Sequence, residues 1–205
     1  MEEVLDEYAQ PHDPKQPRVC FDEMSKQLVG EVTLPQSVGP GQAARYDYEY
    51  VRNGVANLFM IFEPRAGWRH VTVTQQRTKI DFAQQMRALV DEHFPEATAI
   101  HVILDNLNTH SPASLYEAFA PAEARRIVSK LVFHYTPKHA SWLNMAEIEW
   151  SILVGQCLDR RIPDRQTLEE EVSAWERERN DQRATVRWHF SLENARTKLK
   201  RLYPS

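Results

Sequence analysis

The spacing of apolar residues changes along the chain from a strand-like period to a helical one. Alternating or β-branched runs predict strands throughout the first third of the chain. These strands are expected at 18–23, 26–33, 46–52, 55–62 and 68–74. Asn53-Gly54 separates two of them, and this dipeptide favours the type I′ turn of a β-hairpin. The first part of the sheet is therefore predicted to be antiparallel.

Helices, with apolar residues every three or four positions, alternate with strands in the rest of the chain. Thr78 is expected to cap the first helix, and Pro95 is expected to end it. The helices are predicted at 79–93, 114–120, 122–129, 165–179 and 191–202. Another begins after Pro137, where Ser141 or Asn144 can act as the cap. The nearly continuous apolar run 99–104 is typical of a central strand buried on both faces, and a further strand begins at Lys130. This order predicts an α/β fold in which helices flank both faces of a mixed sheet.

The composition is that of an ordinary soluble globular protein. The chain has 205 residues, of which 42% are hydrophobic and 26% charged, and no apolar run of about 18 residues could cross a membrane. An acidic N-terminus without an apolar block argues against a secretory signal, so a cytoplasmic location is expected. Cys20 and Cys157 lack metal-ligand spacing, which favours two reduced thiols. The net charge of −4 argues against coating nucleic acid by bulk charge, but it allows one basic face.

Three acidic residues stand at comparable places in the predicted elements. Asp22 lies in the first strand, Asp105 directly follows a buried strand, and Glu147 opens the helix after the next strand. A charge directly after a buried strand is costly unless something binds it, so Asp105 is the least ordinary of the three. Carboxylates are preferred Mg²⁺ ligands, and two such ions can activate the attacking oxygen and stabilise the leaving oxygen of a phosphodiester. Taken singly, each acid is more often a solvated or capping carboxylate.

The helical and strand periods also predict that two of these acids and their acidic neighbours lie on different faces of their elements. One helical turn links Asn144, Glu147 and Ser151, which places Glu147 on a different face from Glu149 and makes Glu149 the weaker candidate. Strand alternation places Glu23 on the face opposite Asp22, where an exposed or salt-bridged acid is expected.

The sequence blocks around the three acids are distinctive. They read Cys-Phe-Asp22-Glu, Leu-Asp105-Asn-Leu-Asn-Thr-His110 and Tyr-Thr-Pro-Lys-His-Ala-Ser-Trp-Leu-Asn-Met-Ala-Glu147. At these blocks the chain resembles the DDE transposases of the Tc/mariner superfamily, in the branch found in bacterial insertion sequences. The resemblance implies a ribonuclease-H-like fold, and DNA strand cleavage and strand transfer at transposon ends. It also implies a site for two Mg²⁺ ions, for which Mn²⁺ can substitute, with Asp22, Asp105 and Glu147 as the catalytic and metal-binding triad.

The resemblance carries expectations about domains and partners. Full-length members of this family have helix-turn-helix domains before the catalytic domain, whereas this chain begins almost at the first catalytic strand. The helix-turn-helix domain is therefore expected to be absent, and 18–205 is expected to be the catalytic domain. Residues 1–17 are acidic and then proline-rich, which favours a tail or linker and not a core element. The expected partner is double-stranded DNA from transposon ends and target, and a homodimer is expected because two ends must be paired.

A second set of polar and basic residues could contact DNA or orient the triad. The candidates are Asn106, Asn108, His110, Lys138, His139, Arg196, Lys198, Lys200 and Arg201. Those beside Asp105 could orient a metal ligand or a scissile phosphate, and turn formation is the alternative. The last four lie in a basic C-terminal helix, which could form a DNA-backbone surface. Four tryptophans, Trp142, Trp150, Trp175 and Trp188, could stack on bases, although core packing is the more common fate of this residue.

Two other functions are left open by the sequence. One is a sequence-nonspecific or structure-selective DNA nuclease with the same fold. The other is a non-catalytic DNA-binding or dimerisation remnant of a truncated transposase, although the presence of all three acids speaks against decay.

Overall fold

One mixed sheet of five strands carries the fold. The computed structural model describes residues 1–33, 39, 41, 48–138 and 140–202. Its strands are β1 (Arg18–Glu31), β2 (Tyr50–Glu63), β3 (Trp68–Thr74), β4 (Ile100–Leu104) and β5 (Leu131–Tyr135). They lie in the order β3-β2-β1-β4-β5. Strand β2 is antiparallel to both β1 and β3, and β4 and β5 extend the sheet in parallel from β1. The sheet is therefore mixed, as the order of elements predicted.

Helices cover both faces of this sheet. They are α1 (Glu2–Ala9), α2 (Lys79–Ala88), α3 (Pro112–Ala118), α4 (Pro121–Val128), α5 (Ala146–Leu153), α6 (Arg165–Asp181) and α7 (Leu192–Lys198). Single π-helical turns continue α2 through Leu89–His93 and α5 through Val154–Leu158. Thr78 caps α2 in a reciprocal pair with Asp81, so the predicted start of this helix is confirmed.

Each face of the sheet has its own apolar core. Cys20 and Ile103 belong to the core that packs against α1, α5 and α6. Phe21 belongs to the opposite core, which packs against α2, α3 and α4. Since successive strand residues point to opposite faces, Asp22 points toward α5 and Glu23 toward α2.

Asn53-Gly54 is not a hairpin turn, so that prediction is wrong. Strand β2 runs through both residues, and the pairing register with β1 shifts at Leu28, which lies opposite them. Gly54 has φ +97°, and the strand uses this left-handed residue for a β-bulge. Asn53 donates its side-chain amide to the carbonyl of Pro163 at 2.7 Å. The predicted strand at 46–52 lies partly outside the described residues.

The N-terminal helix α1 is a core element, so within 1–17 the interpretation as a tail or linker is wrong for Glu2–Ala9. Val4, Leu5 and Tyr8 are buried in the same core as Cys20. These apolar residues recur at helical spacing inside an acidic segment, and the acids around them occupy the outer side of the helix. The start of the catalytic domain at residue 18 stays a prediction.

The two cysteines are buried and form no disulfide, as the sequence indicated. Burial raises the pKa of Cys20 to about 11, so this thiol is neutral at physiological pH and unreactive. No helix in the described part of the chain is long and apolar enough to cross a membrane.

Candidate active site

The parallel pairing of β1 with β4 places Asp22 beside Asp105. Cys20 lies opposite Ile103 in this pair, and the two aspartates follow at equal distances along their strands. Asp22 therefore points to the face that α5 covers, and Asp105 directly follows β4, a strand about 4.8 Å from β1. The two acids are far apart in the sequence, but the pairing register of β1 with β4 brings them to adjacent positions.

Hydrogen bonds of Asn144 fix the start of α5 against β1. Its side-chain Nδ2 donates to the carbonyl of Phe21 at 2.8 Å, and its Oδ1 accepts from the N–H of Ala146 at 3.2 Å. The predicted capping role of Asn144 is thus met for one backbone N–H. Because Phe21 immediately precedes Asp22, this contact also sets the position of Glu147 relative to Asp22.

Asp22 and Glu147 line one groove, and Asp105 lines the neighbouring one. The first groove has a volume of about 590 Å³ and runs between β1 and the exposed side of α5, where Trp150 follows Glu147 by one turn. The second, of about 460 Å³, is formed by the loops that follow β4 and β5 and includes Lys138. The three acids thus lie around the carboxyl end of β4 and the start of α5, which is the usual place for a site in such sheets.

Burial and neighbouring acids change the titration of Asp22. Burial raises its pKa most, the backbone N–H of Glu23 partly offsets this, and the charges of Glu147, Glu23 and Asp105 raise it further, to about 7. The acids therefore repel one another across the site. A bound cation would relieve this repulsion, so the donor set suits divalent metal ions.

The three acids do not form a cage for a single ion. Among the described residues, one group of three His, Cys, Asp or Glu side chains has ligand atoms that all lie within 4.8 Å of one another. This group is Glu7, His101 and His134, and the ligand atoms of the triad do not meet the same limit. Two ions about 3.5–4 Å apart can be held by more widely spaced acids, since each ion takes only some of them. The three carboxylates are therefore farther apart than the ligand atoms of one shared ion.

His110 links Asp105 to Glu23. Its Nδ1 donates to Asp105 Oδ1 at 2.6 Å, and its Nε2 lies 2.8 Å from Glu23 Oε2 in an ion pair too bent for a good hydrogen bond. Burial lowers the pKa of His110, but Asp105 and Glu23 outweigh burial and raise it to about 9, so the ring is protonated at neutral pH. With 1% of its side chain exposed, His110 has the geometry to orient Asp105 and not to contact DNA. Glu23 is salt-bridged, as expected.

The two acids of α5 have different environments, as helical spacing predicted. Glu147 is exposed in the groove. Glu149 is fully buried, with its Oε1 3.0 Å from Arg69 Nε and 2.7 Å from Arg179 Nε. Both arginines neutralise Glu149, so Glu147 is the better candidate for the third metal ligand.

Comparison with known families decides the classification. Residues 17–169 match the family described as DDE superfamily endonuclease. The chain belongs to this family. Its name combines two aspartates and a glutamate, the residue types that the sequence blocks placed at 22, 105 and 147.

Solved structures of Mos1 transposase have a fold similar to this DDE endonuclease. The Mos1 mariner paired end complex with Mn has a TM-score of 0.58 and 15% identity, over 89% of this chain and 54% of that chain. The Mos1 strand transfer complex has a TM-score of 0.56 and 16% identity, over 85% of this chain and 50% of that chain. The paired end complex with Mg has a TM-score of 0.54 and 17% identity, over 85% and 51%.

These likenesses confirm the ribonuclease-H-like fold expected from the sequence. The DDE endonuclease chain spans about half the length of the Mos1 chains it resembles. No curated protein sequence matches it significantly. The bacterial insertion-sequence branch stays a prediction.

Most of the expected DNA-contact residues of the DDE endonuclease are on the surface. The exposed ones are Asn106, Asn108, Lys138, Arg196, Lys198, Lys200 and Arg201. Asn106 and Lys138 line the same groove as Asp105. Arg196 makes two hydrogen bonds to Glu2, of 2.8 and 2.9 Å, so α7 is tied to α1. His139 lies outside the described residues.

The tryptophans mostly pack, as the more common fate of this residue suggested. Trp150 and Trp175 are buried. Trp142 is 41% exposed and stacks on Trp188, with ring centroids 6.5 Å apart. Trp142 is therefore the tryptophan of this set with the most ring surface available to a base.

Two positioning residues of the DDE endonuclease lacked an adequate sequence signal. Asn144 suggested a helix cap, but no local pattern points to its partner Phe21, 123 positions away. Arg69 shares the face of Val71 and Val73 in the alternating pattern of β3, but a charged residue is usually exposed, and Arg69 is fully buried against Glu149.

Proposed function

We propose that this DDE endonuclease is a transposase catalytic domain that cleaves DNA at the ends of an insertion sequence and transfers the strand. The observation that carries the proposal is the placement of Asp22 and Asp105 on adjacent strands with Glu147 facing Asp22 across one groove. Family membership supports the endonuclease activity. The fold shared with Mos1 paired end and strand transfer complexes supports the choice of a transposase.

The triad would hold two Mg²⁺ ions, for which Mn²⁺ can substitute. Asp22 and Asp105 would share the ions, and Glu147 would complete the ligation of one of them. When bound, the ions would activate the attacking oxygen, first of water and then of the freed 3′-hydroxyl, and stabilise the leaving oxygen. The chain's own contribution is orientation, since His110 holds one oxygen of Asp105 and leaves the other toward the groove.

Double-stranded DNA would be bound at the transposon ends and at the target. Asn106 and Lys138 line the groove of Asp105, Asn108 is exposed three positions after Asp105, and His139 follows Lys138 in sequence. These residues would contact the phosphates nearest the scissile bond, and the basic residues Arg196, Lys198, Lys200 and Arg201 would contact more distant backbone. A homodimer would pair two ends, and the catalytic domain would begin at residue 18.

Mg²⁺ or Mn²⁺ is expected to raise the melting temperature of the metal-free protein. Binding to the folded state alone stabilises it by about 2.7 kcal/mol at a metal concentration of 100 Kd, which corresponds to roughly 5–10 °C for a chain of this size. Differential scanning fluorimetry across a titration measures the shift. Asp105→Asn should lose most of it, and Asp91→Asn, a matched change at a surface ion pair, should keep it. Wild-type protein without any shift would favour the non-catalytic remnant.

The substrate assay that tests the proposal compares two labelled duplexes in Mg²⁺ and in Mn²⁺. One duplex carries the terminal inverted repeat that flanks the coding region, and the other is random. Preferential nicking at the repeat end, followed by joining to a target plasmid, is expected. Equal cutting of both duplexes would favour the sequence-nonspecific nuclease, and the absence of any cutting by folded, metal-binding protein would contradict an active domain.

A further inference from the structure

A second group of metal-ligand atoms lies between α1 and the parallel half of the sheet. Glu7 of α1, His101 of β4 and His134 of β5 bring one ligand atom each within 4.8 Å of the others. His101 Nδ1 lies 2.9 Å from His134 Nε2 and 3.3 Å from Glu7 Oε2, and His134 Nε2 lies 3.8 Å from Glu7 Oε1. None of these residues belongs to the groove of the triad.

Strand register and helix packing build this group. Ile103 pairs with His134, and His101 lies one alternation before Ile103, so both rings point to the face that α1 covers. Glu7 lies one helical turn after Glu3, on the side of α1 that meets the rings. Three ligands from three separate elements thus converge on one point.

The distances suit a small tetrahedral ion. Zn²⁺ binds imidazole nitrogen at about 2.0–2.1 Å and carboxylate oxygen at about 2.0–2.2 Å, and tetrahedral angles then separate ligand atoms by about 3.3 Å. The separation of 2.9 Å between the two ring nitrogens and that of 3.8 Å between His134 Nε2 and Glu7 Oε1 bracket that value. Small rotations of the two rings and the carboxylate would equalise them.

The outer partners of these ligands are those of a metal site. His134 Nδ1 contacts Glu3 Oε1 at 2.8 Å, an arrangement in which the outer nitrogen donates to a carboxylate and the inner nitrogen keeps its lone pair for an ion. Arg18 Nε donates to Glu7 Oε2 at 2.8 Å, which leaves Glu7 Oε1 available. The ligand side chains are largely buried, with 6% of His134 and 17% of Glu7 exposed.

A metal-free network is the alternative. With Glu3 accepting from His134 Nδ1, His101 Nδ1 can donate its proton to His134 Nε2, so the two rings share a single proton. In this arrangement Glu7 Oε2 lies 3.3 Å from His101 Nδ1, and Glu7 Oε1 lies 3.8 Å from His134 Nε2, beyond hydrogen-bond distance. An ion in place of the shared proton would bind all three ligands.

We propose that Glu7, His101 and His134 form a structural site for a divalent transition-metal ion such as Zn²⁺, separate from the Mg²⁺ site of the triad. Two imidazoles and one carboxylate are ligands that Zn²⁺ accepts readily, whereas Mg²⁺ prefers oxygen ligands and water. Water would complete the tetrahedron. The ion would tie α1 to β4 and β5, and β4 leads directly into Asp105. The inference does not depend on the proposed transposase activity.

The test is metal binding by the full chain after removal of metals with a chelator. Zn²⁺ is titrated against a competing indicator in excess Mg²⁺, and Co²⁺ is added separately to record the visible bands of a four-coordinate ion. We expect one tight Zn²⁺ per chain and a tetrahedral Co²⁺ spectrum. His134→Gln should remove both signals, and Glu3→Gln, a change at a more exposed outer partner, should weaken Zn²⁺ binding by about 10–100-fold.

Two control variants locate the site. Asp105→Asn should leave Zn²⁺ affinity unchanged, since the triad is a different site. His70→Gln alters a matched histidine–glutamate pair in β3 and should also leave it unchanged. Circular dichroism of each metal-free variant shows whether it is folded, and Glu3→Gln keeps the test usable if His134→Gln does not fold. Wild-type Zn²⁺ affinity in folded His134→Gln and Glu3→Gln proteins, or loss of Zn²⁺ binding in Asp105→Asn, would overturn the proposal.

Discussion

Replacing Asp105 by asparagine is expected to abolish metal-dependent DNA cleavage and to leave the folded structure intact. Asparagine keeps an oxygen that can accept the hydrogen bond from His110 Nδ1, but it lacks the negative charge that a divalent ion requires. Losing metal stabilisation of several kcal/mol lowers the rate by about 10³-fold or more. Single-turnover cleavage of a labelled duplex in Mg²⁺ and Mn²⁺ measures the rate, and circular dichroism measures the fold.

Asp91→Asn is the matched control for this prediction. Asp91 is a partly exposed aspartate that binds Arg126 through two hydrogen bonds, of 2.7 and 2.8 Å. Its replacement removes the same charge from a surface ion pair and should leave the cleavage rate at the wild-type level. Retained cleavage by purified Asp105→Asn protein would remove Asp105 from the proposed triad.

The elements that the sequence predicted well are those with a signal inside the element. Thr78 and Asp81 form the capping box that starts α2, and the apolar run before Asp105 is a central strand buried on both faces. The helical period also determines which face of a helix a side chain occupies, so the placement of Glu147 and Glu149 on different faces of α5 was predictable. Each of these features depends on a few neighbouring residues.

The elements that the sequence did not predict depend on distant partners. Asn53-Gly54 has the composition of a turn, but the long pairing of β2 with β1 absorbs it as a bulge. The acidic and proline-rich start of the chain suggested a linker, yet Val4 and Leu5 find a core made by later elements. Local propensity is overridden in both cases by packing that the local sequence does not encode.

The candidate site likewise has features that the sequence predicted and features that depend on distant partners. The residue types at 22, 105 and 147 were found from the sequence blocks, but their placement around one site depends on the register of β1 with β4. The link from His110 to Glu23 joins residues of different strands and loops, and it could be predicted only as an orienting role for His110. The support of α5 by Asn144 likewise requires knowledge of which strand lies beneath the helix.

A buried ionic cluster beneath α5 has the largest expected effect on stability. Arg69 and Glu149 are both fully buried and 3.0 Å apart, and Arg179 adds a second cation 2.7 Å from the same carboxylate. Burial lowers the pKa of Arg69, and the charge of Glu149 counteracts this most strongly. One carboxylate therefore balances the fully buried guanidinium group of Arg69 and the partly buried one of Arg179.

Glu149→Gln is expected to destabilise the folded state by about 3–5 kcal/mol, because it leaves the buried guanidinium group of Arg69 without its main balancing charge. Urea unfolding followed by circular dichroism measures the free energy of unfolding. Glu147→Gln is the matched control on the same helix, and its exposed position should limit the change to about 0.5 kcal/mol.

The same pair of variants separates stability from catalysis. Glu147→Gln should lose metal-dependent cleavage with an unchanged unfolding midpoint, since its carboxylate faces the groove. Glu149→Gln should unfold at a lower urea concentration and still cleave under conditions where it remains folded. If Glu149→Gln unfolds at the wild-type midpoint, the buried cluster does not stabilise the fold. If folded Glu149→Gln is inactive while Glu147→Gln cleaves normally, Glu149 replaces Glu147 as the third acid, and α5 must turn to present it.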